Sequence, residues 1–217
     1  MFTDNFNLKN NCMKKICFVL VSVMLLLSGA TAKAQYGNGK RFINTAEVVY
    51  SPVTLSGQLL GIDLVYRMNA VSLDWTQAYG FWESTPLYLQ YGGVIQYSWG
   101  AAAYTGEPMH LLSLNIPISL AYDLTIPKTN ISVVPYAGLN FQEHVLGLSG
   151  KTDLFDKEDM AGYPFEDFMI SWLAGAKFVF DRYIIGVAYQ GPFTGLLWED
   201  EAELKLSQVN FSLGIRF

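Results

Sequence analysis

The chain has 217 residues, enough for one domain, and its 14 basic and 19 acidic side chains give a formal net charge of −5. This acidic balance argues against nucleic acid as a partner, because nucleic-acid-binding proteins present a basic face to the phosphates. Hydrophobic residues make up 51% of the chain, yet no apolar run of about 18 residues, the length of a membrane-spanning helix, follows residue 34. Both cysteines, Cys12 and Cys17, precede that point, which excludes disulfides and thiol chemistry from the remainder.

The N-terminal segment is predicted to be a cleaved secretory signal. Two lysines at 14 and 15 precede an apolar run over 16–27, and Ala32-Lys33-Ala34 fits the cleavage pattern. The run is shorter than the roughly 20 residues of a membrane anchor. Without this segment the chain loses four bases and one acid, which leaves 183 residues with a net charge of −8. The predicted boundaries are a signal over 1–34 (with 1–12 an over-extended start), a tail over 35–41 and one domain over 42–217.

From residue 42 onward, apolar residues alternate with polar or small ones, a pattern typical of β-strands with one apolar face. Residues 42–51 are predicted to be the first strand. Two assignments, 59–68 and 71–81, compete for the second strand. Taking both would give nine strands, whereas bacterial single-chain barrels use even numbers. Because 71–81 alternates better, we predict the second strand there and a long, partly ordered loop over 52–69.

The same alternation continues to the end of the chain. Six more strands are predicted at 87–99, 112–124, 131–141, 168–180, 183–189 and 209–217. Short turns fall near 84, 127 and 181, and long loops at 52–69, 100–109, 147–166 and 191–204. Short turns at one end and long loops at the other are typical of outer-membrane barrels. The predicted fold is all-β, an eight-stranded antiparallel up-and-down transmembrane β-barrel located in the cell outer membrane.

Alternation alone does not decide which face of the barrel points outward, since a lipocalin-like carrier alternates with its apolar face inside. The bulky apolar set is too large for an eight-strand lumen, which side chains barely fill. Aromatic residues also cluster near both ends of the predicted strands, as in the interfacial girdles of membrane barrels. They are Phe81, Tyr122, Phe178, Phe180, Tyr183 and Phe217 at the turn end, and Tyr97, Trp99, Phe141, Phe168, Trp172 and Tyr189 at the loop end.

Three segments together resemble a known family: 114–120 (LNIPISL), 134–139 (VPYAGL) and 213–217 (LGIRF). They are similar to the small outer-membrane β-barrel family common in Bacteroidota, which includes PorT-like proteins. In that family an Ile-Pro strand precedes a Pro-Tyr-x-Gly strand, and the chain ends in an aromatic residue. The resemblance covers about 42–217 and implies an eight-stranded outer-membrane barrel. For most members it implies no defined activity, so it supplies no catalytic residues.

The C-terminal aromatic Phe217, with Ile215 and Leu213 on the same face, resembles the signal by which the outer-membrane assembly machinery recognises its clients. The alternative is that these three side chains only face lipid. Both roles are compatible with one another.

The lumen face is predicted to carry a network of charged side chains: Glu47, Asp74, Asp123, Lys177 and Arg216. Buried charges are tolerated where they pair and form hydrogen bonds. Eight strands leave no aqueous channel, so we interpret the network as a structural plug. An ion path or gate is the alternative.

The two histidines, His110 and His144, fall at the loop ends of neighbouring predicted strands. A hairpin centred near 127 or 128 would bring His110 close to Val145, with the two rings on opposite faces. Ser113 and Glu143 are the nearest nucleophile and orienting acid. No nucleophile motif surrounds them, and two histidines are few for a metal site. We therefore expect no catalytic site, no metal and no cofactor.

Two predicted loops combine acids with aromatics and form a possible binding surface. Its candidate residues are Asp153, Asp156, Asp159, Trp198 and Glu199. The acids have the oxygen ligands that Ca²⁺ or Mg²⁺ prefers, and such an ion would bridge lipopolysaccharide phosphates. Solvated loops are the simpler interpretation, and the extracellular ligand or partner is unknown.

The sequence thus favours a non-enzymatic outer-membrane barrel with a closed polar lumen and a structural or interaction role. Its expected partners are outer-membrane lipid or lipopolysaccharide and the assembly machinery. The alternatives are a PorT-like secretion or assembly accessory, a small lipid-modifying enzyme, a narrow pore and a lipocalin-like periplasmic carrier.

Overall fold

The computed structural model describes residues 42–59, 62–81, 85–101, 107–156, 165–199 and 202–217. The predicted signal (1–34), the tail (35–41) and Asp159 lie outside the described residues. Within the described part of the chain, none of the helices has the length and hydropathy to cross a membrane.

Eight long antiparallel strands build the described fold. They are β1 (Phe42–Leu59), β2 (Ile62–Gly80), β3 (Leu87–Ala101), β4 (Pro108–Tyr122), β5 (Ile131–Ser149), β6 (Phe168–Phe180), β7 (Tyr183–Pro192) and β8 (Ala202–Arg216). Each strand pairs with the next in the chain, and β8 pairs with β1, so the sheet closes on itself. Short strands at Leu124–Thr125, Thr152–Asp153 and Leu197–Glu199 extend its rims. The predicted eight-stranded antiparallel barrel is confirmed.

The strands are staggered around the barrel. Directly paired residues lead once around it from Ile43 through Ala78, Gln90, Ser119, Gly138, Leu173, Gln190 and Gln208 to Val53. The circuit therefore returns to β1 ten residues beyond its start, at Val53 instead of Ile43. Closing a sheet requires such a stagger, which tilts every strand against the barrel axis.

The hairpin of β6 and β7 follows the prediction closely. Only Asp181 and Arg182 separate the two strands. Asp181 has a positive φ of 57°, a backbone conformation that Asp tolerates better than most residues. This turn and the connection over 123–130 lie at one end of the barrel, called here the turn end. The opposite end is called the loop end.

The predicted loop over 52–69 is wrong. β1 continues to Leu59 and β2 begins at Ile62, so most of this segment forms the loop-end half of one long hairpin. The two competing assignments at 59–68 and 71–81 are parts of a single strand. The strand count stays at eight because β2 contains both parts.

The prediction fails because the polar and apolar faces exchange sides partway along β1 and β2. Near the turn end of β1, Val48 is 57% exposed on the outward face and Glu47 is buried inside. Beyond Pro52 the order reverses, because Val53 and Leu55 are buried inside and the outward residues are Thr54 and Ser56. A strand leaving lipid for water needs this inversion, since its exterior must turn polar while its interior packs. In the sequence, this inversion has the same pattern as the end of a strand.

β2 shows the same inversion. Leu64, Met68 and Ala70 are buried inside the loop-end half, whereas Val71 and Leu73 are exposed outside the turn-end half. The apolar residues therefore change from even to odd positions within one continuous strand.

An exposed apolar belt surrounds the barrel on the turn-end side of these inversions. It includes Val48, Tyr50, Val71, Leu73, Ile95, Ile118, Leu120, Leu139, Ile185, Val187, Phe211, Leu213 and Ile215. Every predicted turn-end aromatic is exposed on this face. Of the loop-end aromatics, Tyr97, Phe168, Trp172 and Tyr189 are exposed and two are half-buried. The outward orientation of the apolar face agrees with a membrane barrel and disagrees with a lipocalin-like carrier.

Candidate functional site: the lumen and its cap

The inward side chains of β8 change in character along the strand. From the turn end they include Arg216, Ser212 and Gln208, and then Leu206 and Leu204. On this strand the charge therefore lies toward the turn end, the amide in the middle and the leucines toward the loop end. The turn end also contains a small buried apolar cluster of Ala121, Val134, Val179 and Ile184.

Four of the five predicted lumen charges form two ion pairs. Lys177 on β6 donates to Glu47 on β1 across the barrel, and both side chains are almost fully buried. Nearer the turn end, the Arg216 guanidinium lies 3.3 Å from the Asp123 carboxylate. The Thr125 hydroxyl also donates to Asp123, at 3.0 Å. The structure thus brings these four side chains together as two pairs of opposite charge.

Asp74, the fifth predicted charge, lies directly opposite Glu47 in the β1–β2 register. The Ser72 hydroxyl donates to its carboxylate at 2.5 Å. Asp74 lines a polar chamber of about 70 Å³, and Lys177 lines both this chamber and a second one of about 30 Å³ toward Arg216. The Lys177–Glu47 pair therefore stands between two small cavities.

A belt of side-chain amides crosses the lumen above the charges. Gln208 donates to Gln190 at 3.0 Å and exchanges hydrogen bonds with Gln96 at 3.2–3.4 Å. Gln190 donates to Ser171 at 2.8 Å and to Gln142 at 3.3 Å. These bonds join β3, β5, β6, β7 and β8, so the amide belt links strands that are not neighbours and narrows the lumen.

An apolar plug fills the loop-end half of the barrel. Its buried residues are Val53, Leu55, Leu64, Met68, Ala70, Met109, Leu111, Leu154, Met169, Leu196, Leu204 and Leu206. Leu154 and Leu196 come from the connections between strands, so those connections fold into the barrel mouth. We call residues 147–156, 165–167 and 193–196 the cap.

Backbone hydrogen bonds hold the cap together. Phe165 N donates to Leu154 O at 2.7 Å, and Glu166 N donates to Leu196 O at 2.5 Å. Leu196 N in turn donates to Leu204 O on β8, at 2.7 Å. The described cap residues of the predicted loops over 147–166 and 191–204 thus fold over the mouth of the barrel. The predicted bounds of these loops are too wide, because 147–149, 191–192 and 202–204 belong to β5, β7 and β8.

The two histidines lie on opposite faces, as their parity predicts. His110 is on the outer wall and pairs with Leu148, not Val145. The β4–β5 hairpin is centred between 128 and 129, later than predicted, and its register shifts by one further residue at a bulge between Leu112 and Ser113. His144 is fully buried within the plug, and its Nδ1 lies 2.8 Å from the Ser113 hydroxyl. Ser113, the nearest nucleophile in the sequence interpretation, thus lies beside His144, whereas His110 is on the opposite face of the wall.

The Ser113–His144 pair is predicted to stabilise the fold and to have no catalytic role. Replacing Ser113 with Ala removes the hydroxyl that lies 2.8 Å from Nδ1 of a buried imidazole, which costs about 0.5–1.5 kcal/mol of unfolding free energy, the net worth of one hydrogen bond. Urea unfolding in detergent measures this loss, and mass spectrometry of lipid A from the same cells is expected to show no change. Altered lipid A acylation with unchanged stability would instead indicate an enzyme.

The predicted loop surface is partly described. Asp153 and Asp156 are exposed, and Phe155 N donates to the Asp153 carboxylate at 3.0 Å. For Trp198 and Glu199 the structure describes only the backbone, which pairs with β8. No group of three or more His, Cys, Asp and Glu residues among the described positions has the geometry of a metal site.

The predicted assembly signal lies at the turn end. Leu213, Ile215 and Phe217 are exposed on the outward face. Phe217 exchanges two backbone hydrogen bonds with Asn44 on β1, at 2.9 and 3.1 Å. Its ring contacts Trp75 edge-on with centroids 5.2 Å apart. The C-terminal residue is thereby part of the β8–β1 seam that closes the barrel.

The chain matches no family model and no curated protein. Among solved structures it is similar to Ail, the attachment invasion locus protein of Yersinia pestis, at 12% identity and a TM-score of 0.46, covering 82% of this chain and 99% of that one. OprG from Pseudomonas aeruginosa gives 11% identity and 0.47, covering 83% and 98%. The outer membrane enzyme PagL gives 15% and 0.42, covering 79% and 98%. These are small outer-membrane barrels with different roles, so the similarity concerns fold class, and the Bacteroidota family assignment stays a prediction.

Sequence reasoning missed the plug, the cap and the amide belt. The available signal was the parity change in β1, β2 and β8, where inward positions turn from polar to apolar. Reading that change as an inversion within one strand would have placed apolar residues inside the loop end.

Proposed function

We propose that this protein is a non-enzymatic barrel of the outer membrane, with a lumen that does not conduct and an interaction or structural role at its loop end. The observation that carries the proposal is the combination of an exposed apolar belt with a filled interior. A belt of this kind requires lipid around it. The ion pairs, amide belt and plug fill the described lumen, and the two chambers that Lys177 lines have volumes of only about 70 and 30 Å³.

The proposed orientation puts the turn end in the periplasm and the cap outside, following the usual distribution of short turns and longer loops. Outer-membrane lipid then contacts the belt, and the assembly machinery meets Phe217 before the β8–β1 seam closes. The buried position of Ser113 and His144 beneath the cap supports a role without catalysis, because a substrate has no described route to them.

Envelope fractionation followed by gels of unboiled and boiled samples tests the location and the closed barrel. We expect the protein in the sarkosyl-insoluble fraction, with a migration shift on boiling. Purified protein added to planar bilayers is expected to give no conductance steps. A soluble periplasmic protein would overturn the proposed location, and regular conductance steps would overturn the closed lumen.

A further inference from the structure

Three aromatic rings are stacked on the outer wall near the loop end: Trp99, Tyr97 and His110. The Tyr97 and His110 rings lie 5.9 Å apart and only 13° from parallel, and Tyr97 and Trp99 lie 5.9 Å apart at 22°. The Tyr97 hydroxyl oxygen is 2.7 Å from His110 Nδ1. The His110 imidazole belongs neither to the apolar plug nor to the amide belt, so this arrangement does not help to fill the lumen.

The hydrogen bond to Tyr97 engages Nδ1 of the imidazole. In the tautomer in which the Tyr97 hydroxyl donates to Nδ1, the ring proton is on Nε2, which is then a donor. The imidazole is only partly buried. In this tautomer it presents an N–H group on the outer wall.

The stack lies where the apolar belt ends. Ile95, two residues nearer the turn end on the same face of β3, is an exposed member of the belt. On the neighbouring β2, the outward residues change from Val71 to Asn69 and Arg67 toward the loop end. One row of paired residues joins Asn69, Trp99 and His110. In the proposed orientation this row is level with the headgroups of the outer leaflet.

Arg67 adds a positive charge near the same loop-end boundary of the apolar belt. Its side chain is exposed, and it makes no ion pair with any residue that the structure describes. β2 and β4 are separated by two strand spacings, and Arg67 lies two residues beyond Asn69 toward the loop end, so the Cα atoms of Arg67 and His110 are about 12 Å apart. A guanidinium on a long side chain covers much of that span. An anion on Trp99 can therefore contact both Arg67 and His110.

We propose that Arg67, His110, Tyr97 and Trp99 bind the phosphate of an anionic outer-leaflet lipid. Guanidinium and imidazole N–H groups are donors suited to phosphate, and the exposed apolar wall below them suits the acyl chains. The ligand is a lipid phosphate and not a free anion because the donors stand directly above that wall. This inference rests on the proposed membrane location and adds a specific lipid contact to it.

The two histidines permit a direct test. Tag-free protein labelled with ¹⁵N-histidine has imidazole signals from His110 and His144 only, and the buried His144 is an internal reference. In detergent micelles, dihexanoyl phosphatidic acid is expected to shift the His110 signals and leave His144 unchanged. Dihexanoyl phosphatidylcholine and inorganic phosphate are the comparison probes, and both are expected to bind at least about tenfold more weakly, the equivalent of one charge-assisted contact.

Arg67→Gln is expected to weaken phosphatidic acid binding about tenfold, as the loss of a charge-assisted pair predicts. The matched control is Lys205→Gln, which removes one positive charge from an exposed loop-end residue that pairs with Glu203, and it is expected to leave binding unchanged. Equal losses in both variants, equal binding of inorganic phosphate, or shifts confined to His144 would each overturn the site. If the site fails while the boiling shift and fractionation succeed, the proposed barrel stands without this lipid contact.

Discussion

The substitution Val48→Arg is expected to destabilise the protein by about 2–4 kcal/mol. The matched substitution Val65→Arg is expected to cost at most about 1 kcal/mol. Both positions hold outward-facing valines, with exposed fractions of 57% and 58%. Val48 lies within the apolar belt, and Val65 lies beyond the polarity inversion of β2. The difference arises because a guanidinium at position 48 enters hydrocarbon and one at position 65 stays in water. Urea unfolding in phospholipid vesicles measures both values.

The two variants control for each other, since residue type, substitution and exposure are matched. Equal and small effects would mean that the belt is in water, as in a soluble barrel. Equal and large effects would place the hairpin tip in lipid as well and contradict the membrane boundary drawn from the inversion.

Lys177→Met is expected to cost about 3–5 kcal/mol, the usual loss when one partner of a buried ion pair is removed. The change leaves Glu47 without its cation and beside Asp74, the residue opposite it in the β1–β2 register. The temperature at which the unboiled gel form disappears is expected to fall, and the urea midpoint should fall with it.

The double variant Glu47→Gln with Lys177→Met tests the cause of that loss. Because it removes both charges of the pair, most of the lost stability is expected to return, and the interaction energy follows from the double-mutant cycle. A double variant as unstable as the sum of the single variants would show that the two side chains act independently.

Strand positions are predictable from this sequence wherever one face meets lipid along the whole strand. β6 and the start of β7 fall at the predicted residues because Asp181-Arg182 leaves no room for another register. Strand bounds are not predictable from the alternation where a strand passes from the apolar belt to a polar exterior, as β1 does after Pro52 and β2 does before Val71. There the apolar face changes side, and a period-two pattern appears to break although the backbone continues.

The charged lumen residues were predictable as a set, because strand parity puts Glu47, Lys177 and Arg216 on one face. Their pairing was not, since Glu47 and Lys177 are joined across the barrel and their proximity depends on the stagger of all eight strands. The Ser113–His144 contact depends further on the bulge in the β4–β5 pairing. No local pattern in the sequence encodes either relation.

The cap connects the loop-end surface of the protein directly to its interior packing. Leu154 and Leu196 belong to the plug, yet their chain segments also carry the exposed residues Asp153, Asp156 and Phe193. Substitutions in these connections are therefore expected to be tolerated at single outward positions, because a shift of one residue would withdraw a leucine from the barrel. Insertion of a residue beside either leucine is expected to destabilise the whole barrel, although the insertion lies at the surface.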